Sequence, residues 1–119
     1  MKVNFEPTQI EGVWHAEANE HGPAVAIFGG VHGSEQTGIE VVKQTLDGID
    51  IETGQIFLAL GNLAAIAVNQ RHTGVNLNRL FRDLTPEELE DINNLPYEYG
   101  RAQELNTILD NVDALLDLH

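Results

Sequence analysis

The chain has 119 residues, six of them basic and nineteen acidic, giving a formal charge of −13 and a pI near 4.4. Nucleic acid and anionic membranes both demand a basic footprint, so this balance argues against either as a partner. There is no cysteine, hence no disulfide framework and no thiolate metal ligand. The length suits one small domain, residues 1–119, with a core of its own. Residues 1–12 lack the apolar stretch of a secretory signal. The apolar run 63–68 is far shorter than the about 20 residues a bilayer requires. A cytoplasmic protein is the expectation.

Residues 3–18 read as an opening strand or hairpin with Trp14 in the core. His15 lies within it, and His21 falls in the turn-like Asn19-Glu20-His21-Gly22-Pro23. Neither sits in a ligand-like constellation, so both read as structural. Residues 24–30 form a continuous apolar run, as in a strand covered on both faces. Ser34 resembles a helix N-cap, Ile39, Val41, Val42 and Leu46 give an apolar stripe, and Gly48 ends that helix. Residues 55–60 predict a second buried strand, and Asn62 the cap of a short helix reaching Val68. Thr85-Pro86-Glu87-Glu88 combines an N-cap, a proline and first-turn acids, which marks a helix start. Residues 99–109 predict another helix, with Ala102, Leu105, Ile108 and Leu109 on one side, and residues 112–119 close as a strand. Strands alternating with helices imply an α/β fold of three layers, its sheet largely parallel or mixed, with helices on both faces.

Two ends of the chain carry the metal chemistry. His32 and Glu35 follow the first apolar strand, and His119 ends the last one. Two imidazoles and a carboxylate are the His₂Glu set of a catalytic zinc site, which leaves a position open for water. Strands place such side chains at their carboxyl ends, where open α/β sheets bind ligands. A lone His-x-x-Glu is a weak signal, and the second end strengthens it. Along the closing strand Asp117 and His119 point the same way. Asp117 therefore either orients a ligand imidazole or meets solvent at a strand end.

Four of the six basic residues lie between positions 71 and 101, three of them from Arg71 to Arg82. The stretch 71–81 is rich in turn formers and reads as a presented loop. A guanidinium binds carboxylate with two prongs, an adjacent asparagine adds a hydrogen bond, and an arginine near a metal stabilises an oxyanion. The competing reading is that these arginines pair with acidic helices. Arg82 and Arg101 read as structural, and His72 as a loop histidine.

The segments Gly-Gly-Val-His32-Gly-Ser-Glu35-x-x-Gly38, Gly61-Asn62-x-x-Ala65, Arg71, Asn76-Leu-Asn78-Arg79-x-Phe81, Arg101-Ala-x-Glu-Leu105 and Asp117-Leu-His119 resemble the succinylglutamate desuccinylase/aspartoacylase family, itself similar to the zinc carboxypeptidases. The match runs in order from residue 24 to the last residue. The resemblance implies a zinc carboxypeptidase-like fold, with one zinc ion per chain held by His32, Glu35 and His119. It further implies that Arg71 polarises the scissile carbonyl and that Asn78 and Arg79 grip a substrate carboxylate. The activity implied is hydrolysis of an N-acyl amino acid at its amide bond, with zinc-bound water and a glutamate general base. Asn76 stands where the family often carries aspartate, and Leu63 where proline is usual. Family members continue beyond the third ligand, and their general base lies there. The sequence is therefore expected to be a truncated amino-terminal part, inactive alone, with an open sheet edge that invites self-association. The rival functions are a metallocarboxypeptidase acting on peptides and a non-catalytic zinc-binding module.

Overall fold

A computed structural model describes residues 2–119. Five strands form the main sheet: β2 (Glu6–Pro7), β3 (Val13–Glu17), β4 (Glu20–Gly29), β6 (Thr53–Leu60) and β7 (Ala114–Asp117), in the spatial order β2-β3-β6-β4-β7. β4 runs parallel to both β6 and β7, whereas β2 and β3 are antiparallel additions at the opposite edge. The sheet is therefore mixed, and β2 with β3 supplies the expected opening hairpin. A separate pair joins β1 (Lys2–Val3) to β5 (Ile49–Asp50). The helices are α1 (Gln36–Thr45), α2 (Leu63–Ala67), α3 (Pro86–Glu90) and α4 (Tyr97–Leu109).

Strand alternation sorts the core onto two faces. Ala26, Phe28 and Ala59 pack with Ala102, Leu105 and Ile108 of α4 on one side. On the other, Ile56, Leu58 and Leu60 meet Ile39 and Val42 of α1, with Trp14 packed partly buried against them. That is the expected three-layer α/β arrangement.

Several boundaries differ from the sequence expectation. Glu35, not Ser34, is the N-cap of α1, and it makes no side-chain cap bond because its carboxylate is turned to His32. Val41 is exposed rather than part of the buried stripe, since two residues along a helix turn by about 200°. Helix α1 ends at Thr45, and Gly48 follows with φ +125° while its N–H donates to Thr45 O. Asn62 caps α2 through Ala65 N, and Leu63 takes the first helical position, where proline and leucine are both tolerated. Thr85 and Glu88 complete a reciprocal capping box on α3. Helix α4 begins two residues earlier than expected, which brings Glu98 into its first turn. β7 is shorter than expected, and Leu115 and Leu116 remain exposed along this edge strand.

The turn after β4 depends on close backbone approach. A Cβ at Gly33 would overlap main-chain atoms of Ala65, Ile66 and Gln70, none of which can swing aside. Gly100 on α4 has no atom within 4 Å of such a Cβ. Gly33→Ala should thus cost about 1–3 kcal/mol through overpacking, whereas Gly100→Ala should add about 0.5–1 kcal/mol of helix stability. Urea melts of the two variants should move in opposite directions.

Candidate functional site

The site gathers at the carboxyl ends of β4 and β7. Main-chain bonds continue the parallel ladder past the strands, with Leu118 N–H donating to Phe28 O (2.8 Å) and Gly30 N–H to His119 O (2.7 Å). His119 is thereby fixed beside the glycine turn that carries His32. The His32 and His119 rings meet edge to face, with centroids 4.6 Å apart.

His32 is buried, 5% exposed, and both ring nitrogens are engaged. Nε2 lies 3.0 Å from Asn76 Oδ1, and the same oxygen accepts the Asn78 N–H at 3.0 Å. That second bond identifies the atom facing His32 as the amide oxygen. An acceptor there requires Nε2 to donate, so Nδ1 keeps the lone pair of the neutral ring. Nδ1 is in direct contact with Glu35 Oε2. A lone pair facing a carboxylate calls for a positive centre between them, either a proton or a metal ion.

His119 is set in the opposite sense. Its Nδ1 lies 3.1 Å from Asp117 Oδ2, and its backbone N–H donates to Asp117 Oδ1 at 2.9 Å. With Nδ1–H donating to the carboxylate, Nε2 retains its lone pair. Simple strand alternation does not produce this contact: the strand stops at Asp117, and His119 turns to φ +55°.

The donor set of two imidazoles and a carboxylate fits zinc in chemistry, with each ring nitrogen that is not needed occupied by an oxygen acceptor. Among the described residues, no three His, Cys, Asp or Glu side chains enclose a metal position as they stand. The fit therefore rests on the His32–Glu35 pair, with the His119 ring beside it.

The arginines separate into two groups. Arg82 makes a two-pronged pair with Glu88 at 2.9 and 3.0 Å on the surface. Arg101 is buried and donates to Gly61 O and Leu60 O, both at 2.8 Å. Both are structural, as expected. Arg71 and Arg79 are exposed, and among the described residues neither forms an ion pair, which removes the ground for reading them as helix partners. The Arg71 carbonyl accepts the Gly33 N–H at 3.2 Å, which ties its loop to the residue after His32. Asn78 and Arg79 lie in a 3₁₀ turn, Leu77–Arg79, that Asn76 caps. His15 bonds Gln55 Oε1 at 2.7 Å and packs on Phe57, a structural role.

Two residues of this region escaped the sequence reading. Asn76 had marked only a departure from aspartate, yet its amide oxygen fixes His32. Glu98 is fully buried. Its carboxylate accepts from Asn62 Nδ2 (2.8 Å), Thr73 N (2.8 Å), Thr73 Oγ1 (2.8 Å), Gly74 N (3.1 Å) and Val75 N (3.3 Å). In the sequence Glu98 is one more acid just ahead of the expected helix, and nothing there signals burial. Burial by itself would raise its pKa, but the hydrogen bonds from Asn62, Thr73 and Val75 outweigh that and hold it down at about 2, from 4.5.

Residues 21–119 match the family described as succinylglutamate desuccinylase/aspartoacylase catalytic domain. The chain belongs to this family. It is 36% identical over 106 residues to the aspartoacylase of Rattus norvegicus, covering 80% of this chain and 33% of that one. It is 34% identical over 110 residues to the N-acyl-aromatic-L-amino acid amidohydrolase (carboxylate-forming) of the same organism, covering 80% of this chain and 32% of the relative. Among solved structures, an aspartoacylase family protein from Mesorhizobium loti superposes with a TM-score of 0.75 at 26% identity, over 90% of this chain and 33% of the other. The chain thus spans about a third of the length of these relatives. No helix among the described residues is long and apolar enough to cross a membrane.

The Glu98 carboxyl has a definite consequence for acid stability. A carboxyl held below its unfolded pKa stabilises the fold in full above pH 4.5, and that contribution is lost as pH falls toward 2. The stability gap between wild type and Glu98→Gln should therefore be widest above pH 4.5 and narrow on acidification. Urea melts from pH 7 to pH 3 measure it.

Proposed function

We propose that this chain is the metal-binding part of an enzyme that hydrolyses the amide bond of a small N-acyl amino acid, holding one zinc ion through His32, Glu35 and His119. The observation that carries the reading is the His32–Glu35 contact, with the His32 ring locked by Asn76 and the His119 ring 4.6 Å away. Bound zinc would supply a polarised carbonyl and a more acidic water. The protein's own residues do the rest. Asn76 keeps Nε2–H of His32 occupied, so that only Nδ1 faces the site. Asp117 does the same for Nδ1 of His119. Arg71, with no competing carboxylate, is available to the oxyanion that develops as the amide is attacked. Asn78 and Arg79 take the carboxylate of the amino acid, where a fixed guanidinium fork gives direction as well as charge.

The relatives named aspartoacylase and N-acyl-aromatic-L-amino acid amidohydrolase support an amide-cleaving deacylase. The family resemblance implies that a glutamate general base works with the zinc-bound water. A positioned base is typically worth about 10² to 10⁴-fold.

Metal analysis after zinc loading should give one ion per wild-type chain and markedly less for His32→Ala and Glu35→Ala. Equal zinc in all three would refute the ligand assignment. In the longest chain that carries these residues, Arg79→Lys should chiefly raise KM for N-acetylaspartate or N-succinylglutamate, because it keeps the charge and loses the fork. Arg71→Lys should chiefly lower kcat. A small peptide turned over faster than either acyl amino acid would mark a carboxypeptidase instead.

A further inference from the structure

Glu98 lies on α4, outside the cluster of His32, Glu35 and His119, yet its contacts all run toward that cluster. First-turn acids on a helix ordinarily face water, where they favour the helix dipole at no desolvation cost. Glu98 instead points inward and is fully buried. Among the described residues no Lys, Arg or His pairs with it. A buried anion without a counter-cation persists only when donors saturate it. Here the donors come from two other segments, and α4 contributes none of them.

The first segment is the loop ahead of the 3₁₀ turn. The N–H groups of Thr73, Gly74 and Val75, together with the Thr73 hydroxyl, converge on the two carboxylate oxygens. Successive amides wrapped around one anion fix a loop's path tightly. The next residue is Asn76, whose oxygen holds His32 Nε2 and Asn78 N–H. The second segment is Asn62. Its Nδ2 donates to Glu98, its Oδ1 accepts from Ala65 N, and its backbone N–H donates to Gly30 O at 2.8 Å. Gly30 stands two residues before His32. Both paths from the Glu98 carboxylate therefore end at the two sides of His32.

We infer that Glu98 is a positioning residue: its carboxylate sets the path of residues 73–78 and, through Asn76, the placement of His32 in the site. The zinc part of this inference rests on the proposed function, whereas the loop part stands apart from it. Glutamine at this position keeps the volume but turns an acceptor oxygen into a donor facing donors.

The test uses the 119-residue chain at neutral pH, as wild type, Glu98→Gln and Thr73→Val, with Glu88→Gln as control. Amide exchange is read on the metal-free protein, and zinc affinity is read by competition with a chelator. In Glu98→Gln the amides of residues 73–75 should lose protection. The Asn78 amide, which bonds Asn76 and never touches Glu98, should lose it too. Zinc Kd should rise about 10- to 100-fold, the usual cost of losing a group that orients a ligand. Glu88→Gln removes the charge from an exposed ion pair, and the glutamine oxygen can still close the α3 capping box, so it should leave Asn78 exchange and zinc Kd at wild-type values. Thr73→Val removes one of the carboxylate's hydrogen bonds and should shift both readouts in the same direction by about 2- to 10-fold. It carries the test if Glu98→Gln does not fold. Unchanged Asn78 exchange and unchanged zinc Kd in a folded Glu98→Gln, or in Thr73→Val, would overturn the inference. A wild-type chain that takes up no zinc would defeat the proposed function, and Asn78 exchange would then decide the role of Glu98 by itself.

Discussion

Everything in this molecule hangs on β4 lying parallel between β6 and β7. Parallel neighbours deliver their carboxyl ends to the same edge of a sheet, so the chain leaving β4 and the chain leaving β7 emerge side by side. The ladder does not stop where the strands do. Gly30 N–H still reaches His119 O, so two histidines far apart in the chain are set by main-chain hydrogen bonds and not by side-chain contact. A register slip of one residue would turn the side chains to the other face and part them.

Hydrogen bonding then decides what those histidines offer. Each presents one nitrogen to an oxygen acceptor, Asn76 for His32 and Asp117 for His119. A neutral imidazole has one donor and one lone pair, so occupying the donor commits the other nitrogen to the site. Substituting asparagine for the aspartate common in the family keeps an acceptor oxygen at this point and removes a negative charge. In a chain of formal charge −13 that lowers the density of negative charge beside His32. Arg71 and Arg79 are exposed and form no ion pair among the described residues, whereas Arg82 and Arg101 are engaged by a surface pair and by main-chain carbonyls.

Local sequence made much of this fold legible. The apolar runs of β4 and β6, the Asn62 cap, the capping box of α3 and the apolar side of α4 follow from side-chain period and from capping chemistry, which involve neighbours only a few residues apart. The motifs around His32, Glu35, Arg71, Asn78, Arg79 and His119 carried the family. Two failures of the sequence reading came from side chains only two or three residues apart, whose pairing neither periodicity nor capping preference registers. Glu35 gave up a helix-capping bond for His32. Asp117 and His119 met through a left-handed turn and not through strand alternation.

Sequence by itself therefore determined the main strands and helices, the chemistry its donor residues can carry and the family to which the chain belongs. Tertiary structure alone decided three things: which nitrogen of each histidine is committed, which arginines are left without partners, and where the Glu98 carboxylate goes. The reason is the range of the forces involved. Helical and strand periodicity are local, whereas a hydrogen bond between Asn76 and His32, or between Glu98 and Thr73, exists only once the sheet and α4 have brought distant segments within 3 Å or so of each other. No property of Glu98 as a residue distinguishes it from the other acids of this acidic chain; its surroundings do.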